Sequence, residues 1–387
     1  MIPSLLDTDL YKLTMQQAVR RLHPGLPVRY AFIERSRRTA FADPSVRRMR
    51  EEIDRLRDLV LESEEREWLA GTGWFGEDYL DWLANYRFDP DEVTLRTGGN
   101  GFSLTIEGPW ERTILWEVPL LAIVSGCHFE EVDGDHPPDP DAYRARSREK
   151  GKALVEAGCH YADFGTRRRR SLAIQEAALE GLMEADDGNA PGALTGTSNM
   201  YLARRYNLRP VGTIAHEWIM ATAAIHGYGQ ANRRALEDWL EVYSPEQCIG
   251  LTDTYTVGLF LRDFDKDLAG RIAGIRHDSG DPFAFVDRCA AHYRKLGLDP
   301  REKRFVFSDG LNPDKAAAIQ RHAEEHCRPV FGIGTHFTND IPGSPAPDIV
   351  IKLVTCDGKP VVKTGDDPDK ATGDKEELAK VRKRIGK

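Results

Sequence analysis

The sequence predicts an α/β fold, an irregular (β/α)8-type barrel domain preceded by a smaller mixed α+β domain. Beyond residue 140, short apolar runs recur at 161–164, 193–195, 210–214, 248–252, 272–276, 304–308, 329–332 and 349–354. Each closes on polar or glycine residues and most are followed by helical sequence, the alternation that a ring of parallel strands requires. Before residue 135, residues 93–97, 102–107 and 112–116 alternate apolar and polar side chains, as half-buried antiparallel strands do. A chain of 387 residues is long enough for both units.

Taken in order, residues 1–22 read as a lead-in and a helix whose apolar set is Leu10, Leu13, Met15 and Val19. Residues 28–33 read as a strand that ends at Glu34-Arg35-Ser36-Arg37-Arg38, and 47–69 as a charged amphipathic helical region built on Ile53, Leu56, Leu59 and Val60. The Asp- and Pro-rich stretch 133–141 is the best linker, with a helix over 143–157 behind it. The division is then an N-terminal α+β domain (1–135), a barrel-like domain (140–356) and a polar, Lys-rich tail (357–387).

Hydrophobic content of 41% and charged content of 30% describe a soluble globular chain. No apolar run approaches the roughly 20 residues that span a bilayer. Asp7 and Asp9 stand where a signal peptide would be basic and then apolar, so a cytoplasmic protein with no membrane partner is expected. Six cysteines without a Cys-x-x-Cys pair argue for reduced thiols rather than a zinc site or disulfides. A formal net charge of −9 argues against nucleic acid, and local basic clusters point instead to small anions, phosphates above all.

The organising stretch is Gly212-Thr-Ile-Ala-His-Glu-Trp-Ile-Met, where a strand-like run turns into a helix-like one. A helix start suits a phosphate, and His216 with the carboxylate of Glu217 beside it could hold one tautomer and act as base or nucleophile. The same histidine could equally just fill the first turn of a helix. Phe164-Gly-Thr-Arg-Arg-Arg-Arg follows the first barrel strand. Four consecutive arginines cannot face one way, so one or two could enter a site while the others are solvated.

Gly196-Thr-Ser-Asn, with Ser198, reads as a helix cap or a site. Arg276-His-Asp-Ser-Gly-Asp, with Asp278 and Ser279, reads as an Asx-type turn or as an ionised carboxylate held for ribose or for a cationic transition state. Ser308-Asp309-Gly310-Leu-Asn and Gly332-Ile-Gly334-Thr335 are turn chemistry or phosphate cradles.

In that order these motifs resemble the signature set of nicotinate phosphoribosyltransferase, as do Asp7-Thr-Asp-Leu-Tyr-Lys-Leu-Thr-Met and Leu115-Trp-Glu-Val-Pro-Leu-Leu. The resemblance covers roughly residues 5–370. It implies a type II phosphoribosyltransferase, a homodimer with shared active sites. The implied reaction joins nicotinate to phosphoribosyl pyrophosphate (PRPP), with magnesium (Mg2+) and with ATP hydrolysed through a phosphohistidine at His216.

It also implies that Arg276 and Asp278 lie near nicotinate and ribose, and that Phe164 and Arg167 stack on and hold the pyridine. Tyr11 and Arg35 would reach into the neighbouring subunit's site, with Asp309, Gly332 and Gly334 at the phosphate end. In the tail, relatives tend to show Lys-Leu-Ser and a later Pro-Gly. Here stand Lys363-Thr-Gly and Thr372-Gly-Asp, though Lys363 and Lys370 remain.

The residues support this chemistry independently. An ionised Asp278 can stabilise an oxocarbenium-like cation, and an arginine of the 167–170 cluster can select a carboxylate over an amide. The competing enzyme readings are quinolinate and nicotinamide phosphoribosyltransferases. A metal-dependent hydrolase using His277, Asp278 and Asp281 lacks clustered ligands, so no metal-ligating residue is assigned. A phosphoryl carrier using His216 alone leaves the loops at 276–281 and 308–312 unexplained.

Overall fold

The computed structural model describes residues 1–36, 41, 43–98, 101–186, 188–367 and 371–384. Arg37, Arg38 and Lys370 therefore lie outside the described residues. Two sheets organise the chain. The first is antiparallel, in the order Lys359–Pro360, Ile349–Cys356, Pro27–Glu34, Gly101–Pro109, Val93–Gly98. The second has six parallel strands, in the order Ala193–Thr197, His160–Asp163, Arg328–Ile333, Arg304–Phe307, Gly274–His277, Ile249–Leu251.

Six of the eight expected barrel strands pair as anticipated, and two do not. The run 210–214 makes only a single parallel bridge, Thr197 to Pro210, before it bends toward the helix His216–His226. The run expected at 349–354 is a strand, but it pairs antiparallel with Pro27–Glu34, Lys352 opposite Ala31. Periodicity reports that a strand is half-buried, not which sheet buries it. The residues after 356 also stay with the body of the protein. Thr355 and Cys356 pair with Pro360 and Lys359, Val361 and Val362 are buried, and a helix follows at Lys375–Arg384.

In the N-terminal unit, the alternation at 112–116 is helical rather than extended. Pro109 precedes the short helix Trp110–Thr113, and the Thr113 hydroxyl donates to the Pro109 carbonyl. Trp110, Ile114 and Trp116 enter the core from this turn. The helix Leu10–Leu22 buries Leu10, Leu13, Met15 and Val19 as the spacing predicted. The segment just before it is fastened to the end of the strand Ala193–Thr197. Leu10 N donates to the Ser198 carbonyl at 2.8 Å and Met200 N to the Thr8 carbonyl at 2.9 Å. Both sheets thus deliver residues to one place, the carboxyl ends of the parallel strands, where open α/β sheets place their ligands. No helix among the described residues is long and apolar enough to cross a membrane.

Candidate active site

Two adjoining clefts meet at Phe164, Arg167, Arg276 and Asp278. The narrower one, about 80 Å3, is lined by Tyr11, Ser198 and His216 among others. The wider one, about 540 Å3, runs past Ser308, Gly310, Gly332, Gly334 and Thr335. A third concavity of about 580 Å3, beside Met1, Phe129 and Pro138, contains none of these groups.

His216 occupies the first position of its helix and is buried. Its Nε2 lies 3.0 Å from Asp278 Oδ2 and its Nδ1 3.0 Å from the Thr254 hydroxyl. Burial, reinforced by the nearby Lys363 ammonium, pushes the imidazole down to about 4, so it is neutral at pH 7. Against the opposing pull of burial, Arg276 and then His216 hold Asp278 well below the usual carboxylate range. An ionised carboxylate only accepts, so Nε2 carries the proton and Nδ1 keeps its lone pair, which accepts from Thr254.

Asp278 Oδ1 accepts from Arg276 Nη2 at 2.9 Å and from the Ser308 hydroxyl at 2.7 Å. Arg276 is itself fixed by Ser308 and by the Thr213 hydroxyl, each at 2.8 Å. Charge-assisted bonds of this kind pre-orient the anion before any substrate arrives.

Glu217 departs from the role that its place in the sequence suggested. One helical step moves it about 100° round the axis, so its carboxylate faces away from the imidazole. It accepts from Lys12 Nζ at 2.5 Å, Tyr30 OH at 3.2 Å and Trp110 Nε1 at 3.3 Å. Asp278, not Glu217, sets the tautomer of His216.

The arginine run departs as well. Arg167 reaches the junction of the clefts and Arg168 lines the wider one. Arg169 and Arg170, expected in solvent, are buried in ion pairs with Asp7 and Asp133. The four arginines precede the helix Leu172–Ala185, whose cap is Ser171.

Family models for the nicotinate phosphoribosyltransferase N-terminal domain and for the nicotinate phosphoribosyltransferase family match residues 6–125 and 159–386. The chain belongs to the nicotinate phosphoribosyltransferase family. It is 45% identical to the nicotinate phosphoribosyltransferase of Desulforapulum autotrophicum over 98% of this chain and 97% of that one. Identity to the Methanosarcina acetivorans protein of the same name is 42%, over 98% and 96%. The crystal structure of nicotinate phosphoribosyltransferase from Porphyromonas gingivalis superposes with a TM-score of 0.95 at 36% identity, covering both chains fully.

The residues that the nicotinate phosphoribosyltransferase resemblance singled out fall into three groups. Phe164, Arg167, Arg276, Asp278, His216, Ser198 and Tyr11 converge on the junction or the narrow cleft. Gly310, Gly332, Gly334 and Thr335 line the wide one. A Cβ on Gly332 would collide with the ring of Phe164, so this glycine seats the aromatic as well as flanking the cleft. Ser279, Asp309 and Arg35 lie outside both linings. Ser279 is turned inward and donates to Asp253 Oδ2 at 2.5 Å, while the Asp309 carbonyl accepts from Lys315. Arg35 pairs with Asp348, which also receives Arg168 at 3.1 Å.

Tyr11 lines the narrow cleft of its own chain, its hydroxyl 3.4 Å from Glu117 Oε2. The resemblance implied that it reaches into a neighbouring subunit's site; within the single chain it already lines this cleft. The backbone bonds that fasten residues 8–10 to 198–200 within one chain are the reason. The hydrolase reading fails on geometry: His277 packs against Phe285 and Phe307, and Asp281 caps the helix Pro282–Lys295.

Several contributors were missed from the sequence. Asp253 and Thr254 follow the strand Ile249–Leu251, so the strand-end rule could have found them. Asp253 Oδ2 accepts from Lys363 Nζ at 3.1 Å, which brings this part of the tail close to His216. Lys12 and Glu117 fall in the quoted N-terminal segments but at no strand end, so no role was given to them, and Lys352 sits within a strand.

Proposed function

We propose that the protein joins nicotinate to PRPP in NAD salvage, giving nicotinate mononucleotide and pyrophosphate, with ATP hydrolysed through a phosphohistidine at His216. The observation that carries this reading is the neutral imidazole held between Asp278 and Thr254 at the junction of the clefts. The Nδ1 lone pair attacks the γ-phosphorus of ATP, the bond to the bridging oxygen breaks, and ADP leaves with the electron pair. The Nε2 proton stays on the ring, shared with Asp278, which supports the phosphorylated imidazole. Water later hydrolyses the N–P bond.

In the synthetic step the pyridine nitrogen takes the ribose C1 as the C1–O bond breaks and pyrophosphate departs. Asp278, kept ionised by Arg276, stabilises the positive charge that develops on the ring. Phe164 offers its face to the pyridine, and the wide cleft suits the phosphates. No group of three His, Cys, Asp or Glu side chains among the described residues is placed to hold a metal ion. Magnesium would therefore enter on the substrates' own phosphates and neutralise the leaving group there.

The test measures nucleotide formation from nicotinate, nicotinamide and quinolinate, each with and without ATP. Nicotinate is expected to be strongly preferred and stimulated by ATP. Incubation with Mg-ATP is expected to leave an acid-labile, base-stable phosphate that His216→Ala lacks. Preference for either other pyridine, or ATP coupling undiminished in a folded His216→Ala enzyme, would overturn the reading.

A further inference from the structure

The narrow cleft holds one cation whose partner is missing. Lys352 lines it from the strand Ile349–Cys356, and its side-chain ammonium makes no hydrogen bond or ion pair with any described residue. The other basic groups around it are all engaged. Lys12 stands 2.5 Å from both Glu117 and Glu217, Lys363 donates to Asp253, and Arg276 to Asp278. Arg167, the sequence-based choice for the substrate carboxylate, lies 3.4 Å from Glu117 and is also faced by Asp9 and Asp278, so its charge is already balanced. Lys352 feels the fields of Glu117 and Asp278 without touching either, and burial pushes it down to about 8. A half-buried ammonium without a counterion is costly, and a site that leaves one beside an aromatic face is set up for an anionic ring.

Resting on the reaction proposed above, we infer that Lys352 is the specificity-determining cation that receives the carboxylate of nicotinate. Phe164 lines the same cleft and offers the stacking face, Asp278 waits at the ribose side, and Lys352 closes the charge balance only when the ligand is an acid. An amide brings no charge and leaves the ammonium unpaired. The assignment also gives a chemical purpose to the pairing that joins Ile349–Cys356 to the N-terminal sheet, because that pairing carries Lys352 to the cleft.

The experiment compares wild type, Lys352→Met, Lys352→Gln and Lys352→Arg for KM and kcat with nicotinate, nicotinamide and PRPP, with melting temperatures as the check on folding. Loss of the charge is expected to raise KM for nicotinate roughly 10- to 100-fold, the equivalent of one charged hydrogen bond. KM for PRPP and for nicotinamide should move less than about 3-fold, and Lys352→Arg should restore most of the nicotinate affinity. Unchanged nicotinate KM in both neutral variants overturns the inference while leaving the reaction intact. A shift in PRPP KM instead overturns it in favour of a phosphate contact. A wild-type protein that makes no nucleotide from nicotinate removes the proposed reaction, and this assignment with it.

Discussion

Lys12 Nζ sits 2.5 Å from Glu217 Oε2 and equally close to Glu117 Oε2, joining three helices in one buried ion cluster behind His216. Against burial, Lys12 and Arg167 hold Glu117 down to about 2, whereas burial pushes Glu217 up. Removing the shared cation leaves two buried carboxylates competing for hydrogen bonds from Tyr11, Tyr30 and Trp110. Lys12→Met should therefore cost about 3–5 kcal/mol, the usual penalty for breaking a buried ion pair. Urea unfolding measures it, and Lys12→Met combined with Glu217→Gln should recover part of the loss. A change below about 1 kcal/mol would show that the cluster does not hold these helices together.

This cluster also shows where sequence reading stops. His216 and Glu217 are neighbours in the chain and were read as a pair. Helical geometry separates them, giving His216 to Asp278 and Glu217 to Lys12. Residues at strand ends were legible, because a polar group closing an apolar run has few reasons to be there. Arg276, Asp278, Ser308 and Gly332 were found that way, and Asp253 could have been. Lys12, Glu117 and Lys352 were not legible, since a charged residue within a helix or strand normally marks a solvated face. Which sheet takes the strand Ile349–Cys356 was equally hidden, for its alternation fits either.

A pH effect follows from Asp9. Burial pushes this carboxyl up to about 6, although Arg167 and the Ser198 hydroxyl, 2.8 Å away, pull the other way. The folded state thus binds a proton that the unfolded state, titrating near 3.8, has released. Its contribution favours folding at low pH and is lost as pH rises through about 4 to 6. Asp9→Asn, which keeps an acceptor for Ser198, should raise stability at pH 7.5 by up to about 3 kcal/mol and give no gain at pH 3.5. Melting temperatures of the ligand-free proteins at the two pH values decide it. An equal effect at both would place its origin in packing.

The placement of Tyr11 bears on how many chains make one site. Its ring lines the same cleft as Asp278 of the same chain, and residues 8–10 are bonded to residues 198–200 there. To leave this cleft for a neighbour's, the segment would have to give up the Leu10–Ser198 and Met200–Thr8 backbone bonds and withdraw Asp7 from its buried pair with Arg169. Nothing gained by a single aromatic contact matches that cost. Tyr11→Ala and Asp278→Ala should each lose most activity, and mixing the two should restore none, whatever the oligomeric state. Were Tyr11 shared across a dimer, random exchange would make half the dimers mixed, each with one intact site. Activity would then return to roughly a quarter of wild type. Co-expression of the two variants under different affinity tags, with the doubly tagged species isolated and assayed for nicotinate mononucleotide formation, separates these outcomes. In the isolated mixed dimer a shared site would leave one of two sites intact, so recovery near a half would overturn the single-chain site, and continued inactivity would support it.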